Sequence, residues 1–496
     1  MLMSFIRNHP FIHGTIMTES KSTIQMEIDF QKKRKNIFRD NLNKGNFHLL
    51  VEVNTPEKKD DFSIAASRLN AVYAALGKSD SVSTGLAVTD KLQGWTTWNV
   101  ADFANELPKE DRDRHVLYIS GRNSSTADIA DTISRCKSSG FENVVAVTGD
   151  GYKPEGAKKK QKLRFVDSVT ILNMLKAEDK DSFLAGCVLN PFKYTPSAVF
   201  PQYYKLVKKV KQGAEFIVTQ SGWDMMKLQE MRWYLELREL HYPSIARFTL
   251  LTSDLFEDIY AGKKPGIHIS PELRKILLNE SKFGYAQFAS AQWRRLQIYA
   301  AGAKLLGYSG IQISGIERHE HISAACKKIT EALREFRSFE EWRDGYLNYL
   351  SRADMTPYPY RFFMFNNLFT RSYPELAKMK SEKLPECGKY EKFHYKICKT
   401  LFSKSHRRDS NEHILTKKIF VGCKRCTWCR LPFTEFVCPE TCPKGLANGP
   451  CGGTRVDGTC EFGGKKCIHA KIFRLAAWRK DLDTLEERYI KPVERI

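Results

Sequence analysis

The residues most able to do chemistry are eight cysteines that lie within 45 positions near the C-terminal end of the chain. Their spacing is C-x2-C-x2-C-x8-C-x3-C-x8-C-x8-C-x6-C. Thiolates bind zinc and iron, and four of them complete one zinc site or one [4Fe-4S] cluster. The pattern therefore predicts two iron–sulfur clusters, two zinc sites or one of each, with reduced structural thiols as the alternative. The predicted metal ligands are Cys423, Cys426, Cys429, Cys438, Cys442, Cys451, Cys460 and Cys467.

The other five cysteines are scattered along the chain, and we expect them to be ordinary core or surface thiols. They are Cys136, Cys187, Cys326, Cys387 and Cys398.

Two acidic residues interrupt apolar stretches. Glu52 lies inside LLVEV, where a charged carboxylate costs several kcal/mol unless it is paired or protonated. Such a site makes Glu52 a candidate proton donor, and the alternative is a buried glutamate satisfied by a neighbouring strand. Asp150 ends VVAVTGD after Gly149, which permits close approach of the backbone to a ligand. The alternative for Asp150 is a helix N-cap.

The elements that must position these residues alternate between short apolar runs and helical stretches. The runs lie at 47–54, 81–88, 115–120, 143–149, 183–190, 215–220, 246–252 and 309–315. Strand alternating with helix indicates a parallel sheet, and eight such units between residues 45 and 335 favour a (β/α)8 barrel.

Chemistry in such a barrel is located at the carboxyl ends of the strands. Polar residues or glycine recur at those ends in this chain. They are Glu52, Asn54, Thr89, Asp90, Gly121, Arg122, Thr148, Gly149, Asp150, Asn190, Gln220 and Thr252.

The net charge of +22 is spread along the chain, with its longest runs at residues 32–35 and 158–162. A basic surface suited to small anions is favoured over a nucleic-acid or membrane partner.

Three lysines precede the sixth run and could hold a cofactor phosphate or form a solvated face. They are Lys205, Lys208 and Lys209. No G-x-G-x-x-G motif follows a strand and there is no P-loop motif, so a Rossmann or P-loop site is not supported. The absence of a signal peptide and of a long apolar segment predicts a cytoplasmic protein.

The chain resembles the methylenetetrahydrofolate reductases in five sequence motifs. In order along the chain they are LLVEVNTPEK, HVLYISGRN, VVAVTGD, KKVKQGAEFIVTQ and PGIHISPEL. These reductases are flavin-dependent (β/α)8 barrels that reduce methylenetetrahydrofolate to methyltetrahydrofolate. The resemblance covers about residues 45–335 and implies a bound FAD.

The resemblance also implies roles for single residues. Glu52 matches the general acid, Asp150 the acidic residue near flavin and pterin, and Gln220 a folate contact. The implied flavin-binding residues are His115, Thr148, Gly149, Asp150, Lys208 and Lys209. Two features depart from the family: Val53 and Asn54 replace an aromatic pair, and Thr148 stands where many members have arginine.

The C-terminal segment is similar to a cysteine-rich domain that accompanies these reductases, either fused to the barrel or as a separate subunit. The matching motifs are CPKGLANGPCGG, DGTCE and KKC. In acetogenic bacteria that subunit carries iron–sulfur clusters and sometimes zinc, and it feeds electrons toward the flavin. The resemblance implies that the domain either relays electrons or caps the barrel mouth.

The sequence therefore predicts an α/β protein with four parts. They are an N-terminal extension (1–44), the barrel (45–335), a helical connecting region (336–417) and a cysteine-rich metal-binding domain with a C-terminal helix (418–496). The predicted activity is methylenetetrahydrofolate reduction, with a tetrahydrofolate substrate and a nicotinamide or ferredoxin as electron donor. An oligomer is compatible with the sequence, and a membrane or nucleic-acid partner is disfavoured.

Two other functions stay open at this point. One is a folate-binding methyl-transfer or scaffold partner without reductase activity, because the aromatic pair after Glu52 is missing. The other is a basic metal-dependent nucleic-acid-binding protein, although no nucleic-acid recognition motif is present.

Overall fold

The computed structural model describes residues 36–77, 82–90, 96–151, 165–178, 182–316, 318–371, 384–405 and 413–493. The basic runs at 32–35 and 158–162 lie outside these residues. None of the helices in the described ranges has the length and apolar character that crossing a membrane requires.

Eight parallel strands close into a barrel in sequence order, with β1 hydrogen-bonded to β8. Each of the eight apolar runs overlaps one strand, which confirms the predicted (β/α)8 barrel. The strands are β1 (His48–Asn54), β2 (Ser83–Thr89), β3 (Val116–Ser120), β4 (Asn143–Val147), β5 (Leu184–Leu189), β6 (Phe216–Thr219), β7 (Ser244–Thr249) and β8 (Gly310–Ser314).

Most of the barrel helices begin at a polar cap residue that lies shortly after a strand. Ser125 and Asp128 form a reciprocal capping box, and Asp61, Asp167 and Asp224 accept hydrogen bonds from the first turns of their helices. The helices are α1 (Ile37–Asn43), α2 (Phe62–Ala75), α3 (Val100–Ala104), α4 (Thr126–Ser138), α5 (Ser168–Lys176), α6 (Pro196–Lys211), α7 (Met225–Leu237), α8 (Ser253–Tyr260), α9 (Pro271–Ser281), α10 (Tyr285–Leu305), α11 (Glu320–Glu335) and α12 (Phe339–Arg352). A short 3₁₀ helix spans Lys109–Arg114.

The apolar core has one layer between strands and helices and a second inside the barrel. Helix α1 closes the amino-terminal end of the inner layer. The Phe38 ring lies 4.8 Å from that of His48 and 5.3 Å from that of Phe216, centroid to centroid. Residues 36–44, which the sequence assigned to an extension, thus pack as part of the barrel.

The connecting region packs on the barrel through its aromatic segment at 357–369. On α7, Glu230 accepts a hydrogen bond from the Met364 amide, and Gln229 accepts one from the Phe369 amide at 2.7 Å. Most of the aromatic side chains in this segment are buried. The segment therefore belongs to the core that covers α7.

The cysteine-rich domain is built mainly from loops and short elements. They are α13 (Lys389–Phe402) and α14 (Ile414–Val421), which lead into it, two 3₁₀ turns (Leu431–Phe433 and Pro439–Thr441), the hairpin β9 (Thr459–Cys460) and β10 (Gly463–Lys466), α15 (Ile468–Arg479) and α16 (Leu482–Glu487). Helices α15 and α16 both pack against α6 of the barrel. This packing holds the domain over the carboxyl ends of the strands.

Candidate functional site

A pocket of about 120 Å³ lies at the carboxyl-terminal mouth of the barrel. Both the barrel and the cysteine-rich domain contribute to its wall. The barrel residues are Thr89, Asp90, Tyr118, Ser120, Ala146, Val147, Thr148, Gly149, Asp150, Ser168, Val188, Asn190, Gln202, Lys205, Lys209, Gln220 and Arg247, and the domain adds Pro450, Cys451 and Gly452.

A layer of polar side chains inside the barrel leads up to this pocket. The Arg247 guanidinium lies 2.7 Å from Glu52 Oε1 and donates at 3.2 Å to Gln220 Oε1. Gln312 donates to Glu52 Oε2 at 2.7 Å and accepts from the Tyr118 hydroxyl at 2.6 Å. Glu52 itself does not line the pocket and is connected to it through Arg247 and, by way of Gln312, through Tyr118.

The carboxylate of Glu52 is held by two partners inside the barrel. Its side chain is 3% exposed, and its carboxylate oxygens accept hydrogen bonds from Arg247 on β7 and from Gln312 on the neighbouring strand β8. The sequence proposed Glu52 as a proton donor, with a buried glutamate satisfied by a neighbouring strand as the alternative, and the proton-donor role stays a prediction.

Asp150 lines the pocket directly. Burial raises the pKa of its carboxyl, while Lys444, Arg122 and Arg247 act to lower it and Glu461 acts to raise it further. Gly149 has φ +83, and an added Cβ would lie 2.5 Å from the Cβ of Arg122. The glycine is thus required for the backbone path that presents Asp150.

The three predicted lysines of α6 have different environments. Lys205 and Lys209 line the pocket: Lys205 Nζ pairs with Asp167 at 2.8 Å, and Lys209 Nζ donates to the Val188 carbonyl. Lys208 lies off the pocket, 1% exposed, with its ammonium 5.9 Å from the centroid of the Tyr204 ring. Its Nζ has no hydrogen-bond partner among the described residues, and burial lowers its pKa to about 7.

His115 lies at the opposite end of the barrel, because it immediately precedes β3. Its Nδ1 accepts a hydrogen bond from the Leu86 amide at 3.0 Å, and burial lowers its pKa to about 3. The structure therefore gathers Thr148, Gly149, Asp150, Lys209 and Gln220 at the mouth and leaves His115 and Lys208 elsewhere.

The cysteine-rich domain closes over the mouth through buried polar contacts. Lys444 Nζ donates to the Gly149 carbonyl at 2.8 Å and pairs with Glu461 at 2.5 Å. Glu461 accepts from the Gly151 amide at 3.1 Å and from the Cys451 thiol at 3.2 Å.

Three barrel side chains complete this interface from the other side. Asn190 and Lys193 both donate to the Gly452 carbonyl, at 2.8 and 3.0 Å, and Gln202 donates to the Cys451 carbonyl at 3.0 Å. Capping of the mouth, one of the two implied roles of the domain, is thus a feature of the structure.

The eight clustered cysteines are free thiols that separate into two sets by their electrostatic interactions. The first set is Cys423, Cys426, Cys429 and Cys438, and the second is Cys442, Cys451, Cys460 and Cys467. Four thiols per set match the donor number of one zinc site or one [4Fe-4S] cluster. Within the described ranges, however, no three Cys, His, Asp or Glu side chains stand close enough together to hold a metal ion.

Several residues of the site were not identified from the sequence. Arg247 interrupts the apolar run ARFTLL as Glu52 interrupts LLVEV, so the same criterion could have found it. Tyr118 and Gln312 lie in ordinary strand positions. Lys444 and Glu461 carry no signal that distinguishes them from surface charges, because their partners lie about 300 residues earlier in the chain.

The strands form a closed parallel barrel with a polar pocket at their carboxyl ends. This is the arrangement of (β/α)8-barrel enzymes, whose active sites lie at that face. Residues 37–243 match the family model described as methylenetetrahydrofolate reductase, and residues 403–495 match the one described as methylene-tetrahydrofolate reductase C terminal. The chain is therefore a fusion of a methylenetetrahydrofolate reductase-family barrel with the C-terminal domain of that family. This confirms the resemblance drawn from the sequence motifs.

Two solved structures are also similar to the chain. One is an uncharacterized protein from Clostridium thermocellum that binds two copies of 5-methyl-5,6,7,8-tetrahydrofolic acid, with TM-score 0.42, 15% identity, and coverage of 60% of this chain and 100% of that one. The other is a dihydropteroate synthase from Coxiella burnetii in complex with pteroic acid, with TM-score 0.32, 11% identity, and coverage of 58% and 93%. No curated protein sequence gives a significant match.

Proposed function

We propose that this chain reduces 5,10-methylenetetrahydrofolate to 5-methyltetrahydrofolate with bound FAD, which receives electrons from a nicotinamide or a ferredoxin. The observation that carries the proposal is the convergence of Asp150, Gln220 and the Glu52–Arg247 pair at one barrel mouth. Residues 37–243, which include Asp150, Gln220 and Glu52, also match the reductase family.

The residues at the mouth fit a flavin in chemical character. Ala146, Val147 and Val188 give the pocket apolar wall, while Lys205 and Lys209 supply positive charge suited to an anionic group. The volume of about 120 Å³ is below the ~300–1,000 Å³ usual for ligand sites, so flavin binding requires the mouth to widen. When bound, the flavin supplies the hydride.

The chain's own residues orient the folate and handle one proton. Arg247 and Gln220 present a guanidinium and an amide at the pocket, which suit hydrogen bonding to the pterin or its carboxylate-bearing tail. We assign Glu52 the role of fixing Arg247, since both Glu52 oxygens are engaged in this structure. Asp150 is the better proton donor of the two, because it lines the pocket and burial raises its pKa.

Paired substitutions at the two carboxyls test the reaction and these roles. The protein is purified anaerobically, its flavin is measured, and methyltetrahydrofolate oxidation and methylenetetrahydrofolate reduction are assayed across pH. Removal of a general acid slows turnover by about 10²–10⁴-fold, so we expect Asp150→Asn to lose reduction by this factor while keeping flavin. We expect Glu52→Gln to lower turnover less and to keep the pH dependence of the wild type.

The outcomes separate the alternatives. Full turnover in Asp150→Asn with a 10²-fold loss in Glu52→Gln would return the acid role to Glu52, as the family resemblance implies. A colourless protein that binds folate without turnover would favour a scaffold partner. Salt-dependent binding of nucleic acid by a colourless zinc protein would favour the nucleic-acid alternative.

We also propose that each set of four thiols binds one metal centre, a [4Fe-4S] cluster or zinc, and that loading draws its thiols together. Metal binding of this kind is coupled to local folding. In the present arrangement burial raises the pKa of Cys438 and of Cys467 to about 12, which favours neutral thiols until a metal displaces their protons. Cys451 belongs to the second set and lines the pocket, so that set is suitably placed to pass electrons to the mouth.

A further inference from the structure

We propose that the cysteine-rich domain supplies part of the barrel's own site, with Lys444 as a positioning residue that fixes the rim loop 149–151 and the Asp150 it carries. The inference deepens the proposed function and rests on it for the role of Asp150. The inference goes beyond capping, because it makes a residue of the cysteine-rich domain necessary for the geometry of the barrel site.

Lys444 and Glu461 bind the backbone of the two residues that flank Asp150 in the sequence. Lys444 Nζ donates to the carbonyl of the preceding residue, Gly149, at 2.8 Å. Glu461 Oε2 accepts from the amide of the following residue, Gly151, at 3.1 Å. The two side chains pair with each other at 2.5 Å, so a single ion pair holds both flanks of Asp150.

This ion pair is almost completely removed from solvent. The side chains of Lys444 and Glu461 are 1% and 3% exposed. The Lys444 ammonium also lies 5.0 Å from the centroid of the Phe165 ring and 5.9 Å from that of Phe462. A buried pair of this kind tolerates the loss of one partner poorly, because the remaining charge is left without compensation.

The rim loop depends on the tail for these contacts. Among the described residues, the Gly149 carbonyl and the Gly151 amide have their hydrogen-bond partners in the cysteine-rich domain and none in the barrel. Gly151 also lies directly against the Phe462 ring, since an added Cβ would be 2.2 Å from Phe462 Cζ. Without the tail the loop would lose both of its polar anchors and its apolar support.

Five charged side chains face Asp150. Lys444 and Glu461 are in the cysteine-rich domain, Arg122 follows β3, Lys193 follows β5, and Arg247 is on β7. Lys444 makes the largest opposing contribution to the burial that raises the Asp150 pKa. Loss of Lys444 is therefore expected to raise that pKa further, and a reaction that needs protonated Asp150 would persist to higher pH.

The test uses the full chain, purified anaerobically, in four variants. Lys444→Met removes the charge, and Lys444→Met/Glu461→Gln also neutralises the partner so that no unpaired buried charge remains. Lys444→Arg is the conservative rescue. Lys465→Met is the matched control, because Lys465 is an exposed lysine of the same domain.

Hydrogen exchange of the peptide that spans 145–151 is the first readout and needs no cofactor. We expect faster exchange in the single and the double variant and wild-type exchange in Lys465→Met. Flavin affinity, measured by fluorescence, and the pH profile of folate reduction are the second and third readouts. We expect at least tenfold weaker flavin binding in the double variant, an alkaline shift of the descending limb of the pH profile in Lys444→Met, and partial recovery in Lys444→Arg.

Failure of the inference differs from failure of the proposed function. A folded double variant with wild-type exchange, flavin affinity and pH profile would overturn the role of Lys444. A wild-type protein that binds no flavin would instead overturn the reductase proposal, and the exchange experiment would still decide whether the tail fixes the rim loop.

Discussion

At the scale of single residues, the buried pair of Glu52 and Arg247 links the inside of the barrel to its mouth. We expect Arg247→Met to lower the free energy of unfolding by about 3–5 kcal/mol, because it removes one partner of a buried ion pair. The double variant Glu52→Gln/Arg247→Met should recover much of that loss. Urea denaturation of the wild type, the Glu52→Gln and Arg247→Met variants and the double variant measures both effects, and additive losses in the double variant would contradict the coupling.

Lys208 provides a prediction of the opposite sign. Its buried amine has no partner among the described residues, and its pKa falls from 10.5 to about 7. Such a group costs stability as pH falls from 10.5 toward 7, by about 1.4 kcal/mol per pH unit, because the unfolded chain binds the proton more tightly. We expect Lys208→Met to raise the thermal unfolding temperature, and to raise it more at pH 7 than at pH 9.5.

Lys209→Met is the natural comparison, since Lys209 is the next residue of α6 after Lys208 and lines the pocket. It should weaken flavin binding while Lys208→Met leaves it unchanged. Weaker flavin binding in Lys208→Met would instead support the cofactor role that the family resemblance assigned to Lys208.

The sequence around a single strand predicts Glu52 and Asp150 as site residues, but it does not predict the contacts they make with distant parts of the chain. Glu52 and Asp150 stand out because a charge interrupts or ends an apolar run, and both lie at the mouth end of the barrel. The pairing of Glu52 with Arg247 is a contact across 195 positions, which depends on how eight strands close. Lys444 depends on packing between two domains, and neither its type nor its neighbours in sequence indicate that packing.

At the scale of elements, the barrel could be predicted because each strand is a short apolar run between polar turns. The register and closure were set by packing, and the contribution of α1 was missed for the same reason. A seven-residue helix ahead of the first strand has no signal that it covers the open end of a barrel. Only the closed inner layer, with Phe38 against His48 and Phe216, explains its position.

The amino-terminal end of the barrel predicts acid sensitivity. His48 and His115 are both buried there, and burial lowers the pKa of each to about 3. The unfolded chain binds protons at these residues below pH 6.5 and the folded chain does not. Each histidine should therefore lower the free energy of unfolding by about 1.4 kcal/mol per pH unit between 6.5 and 3.

Stability measured against pH tests this sensitivity with a matched control. We expect His48→Leu to flatten the acid slope by the share of one histidine, as followed by urea denaturation from pH 7 to pH 4.5. His241→Leu should leave the slope unchanged, since the His241 side chain is 69% exposed. Equal slopes in the two variants would contradict the assignment.

At the scale of the whole molecule, the two thiol sets predict separable metal centres. We expect Cys426→Ser and Cys460→Ser each to lose about half of the bound metal, because each removes one of the four ligands of a single centre. Only Cys460→Ser should also alter flavin reduction by the electron donor, since its set reaches the pocket through Cys451. Metal analysis, electron paramagnetic resonance and stopped-flow reduction measure these effects, and complete metal loss in either variant would contradict two independent centres.

The joining of the barrel and the cysteine-rich domain in one polypeptide affects how the protein responds to dilution. Where two partners must meet by diffusion, dilution below their dissociation constant separates them. Here Lys444 contacts Gly149 within the same molecule, so the contact does not depend on the protein concentration. Specific activity should therefore stay constant down to nanomolar protein, whereas separate subunits would lose it as they dissociate.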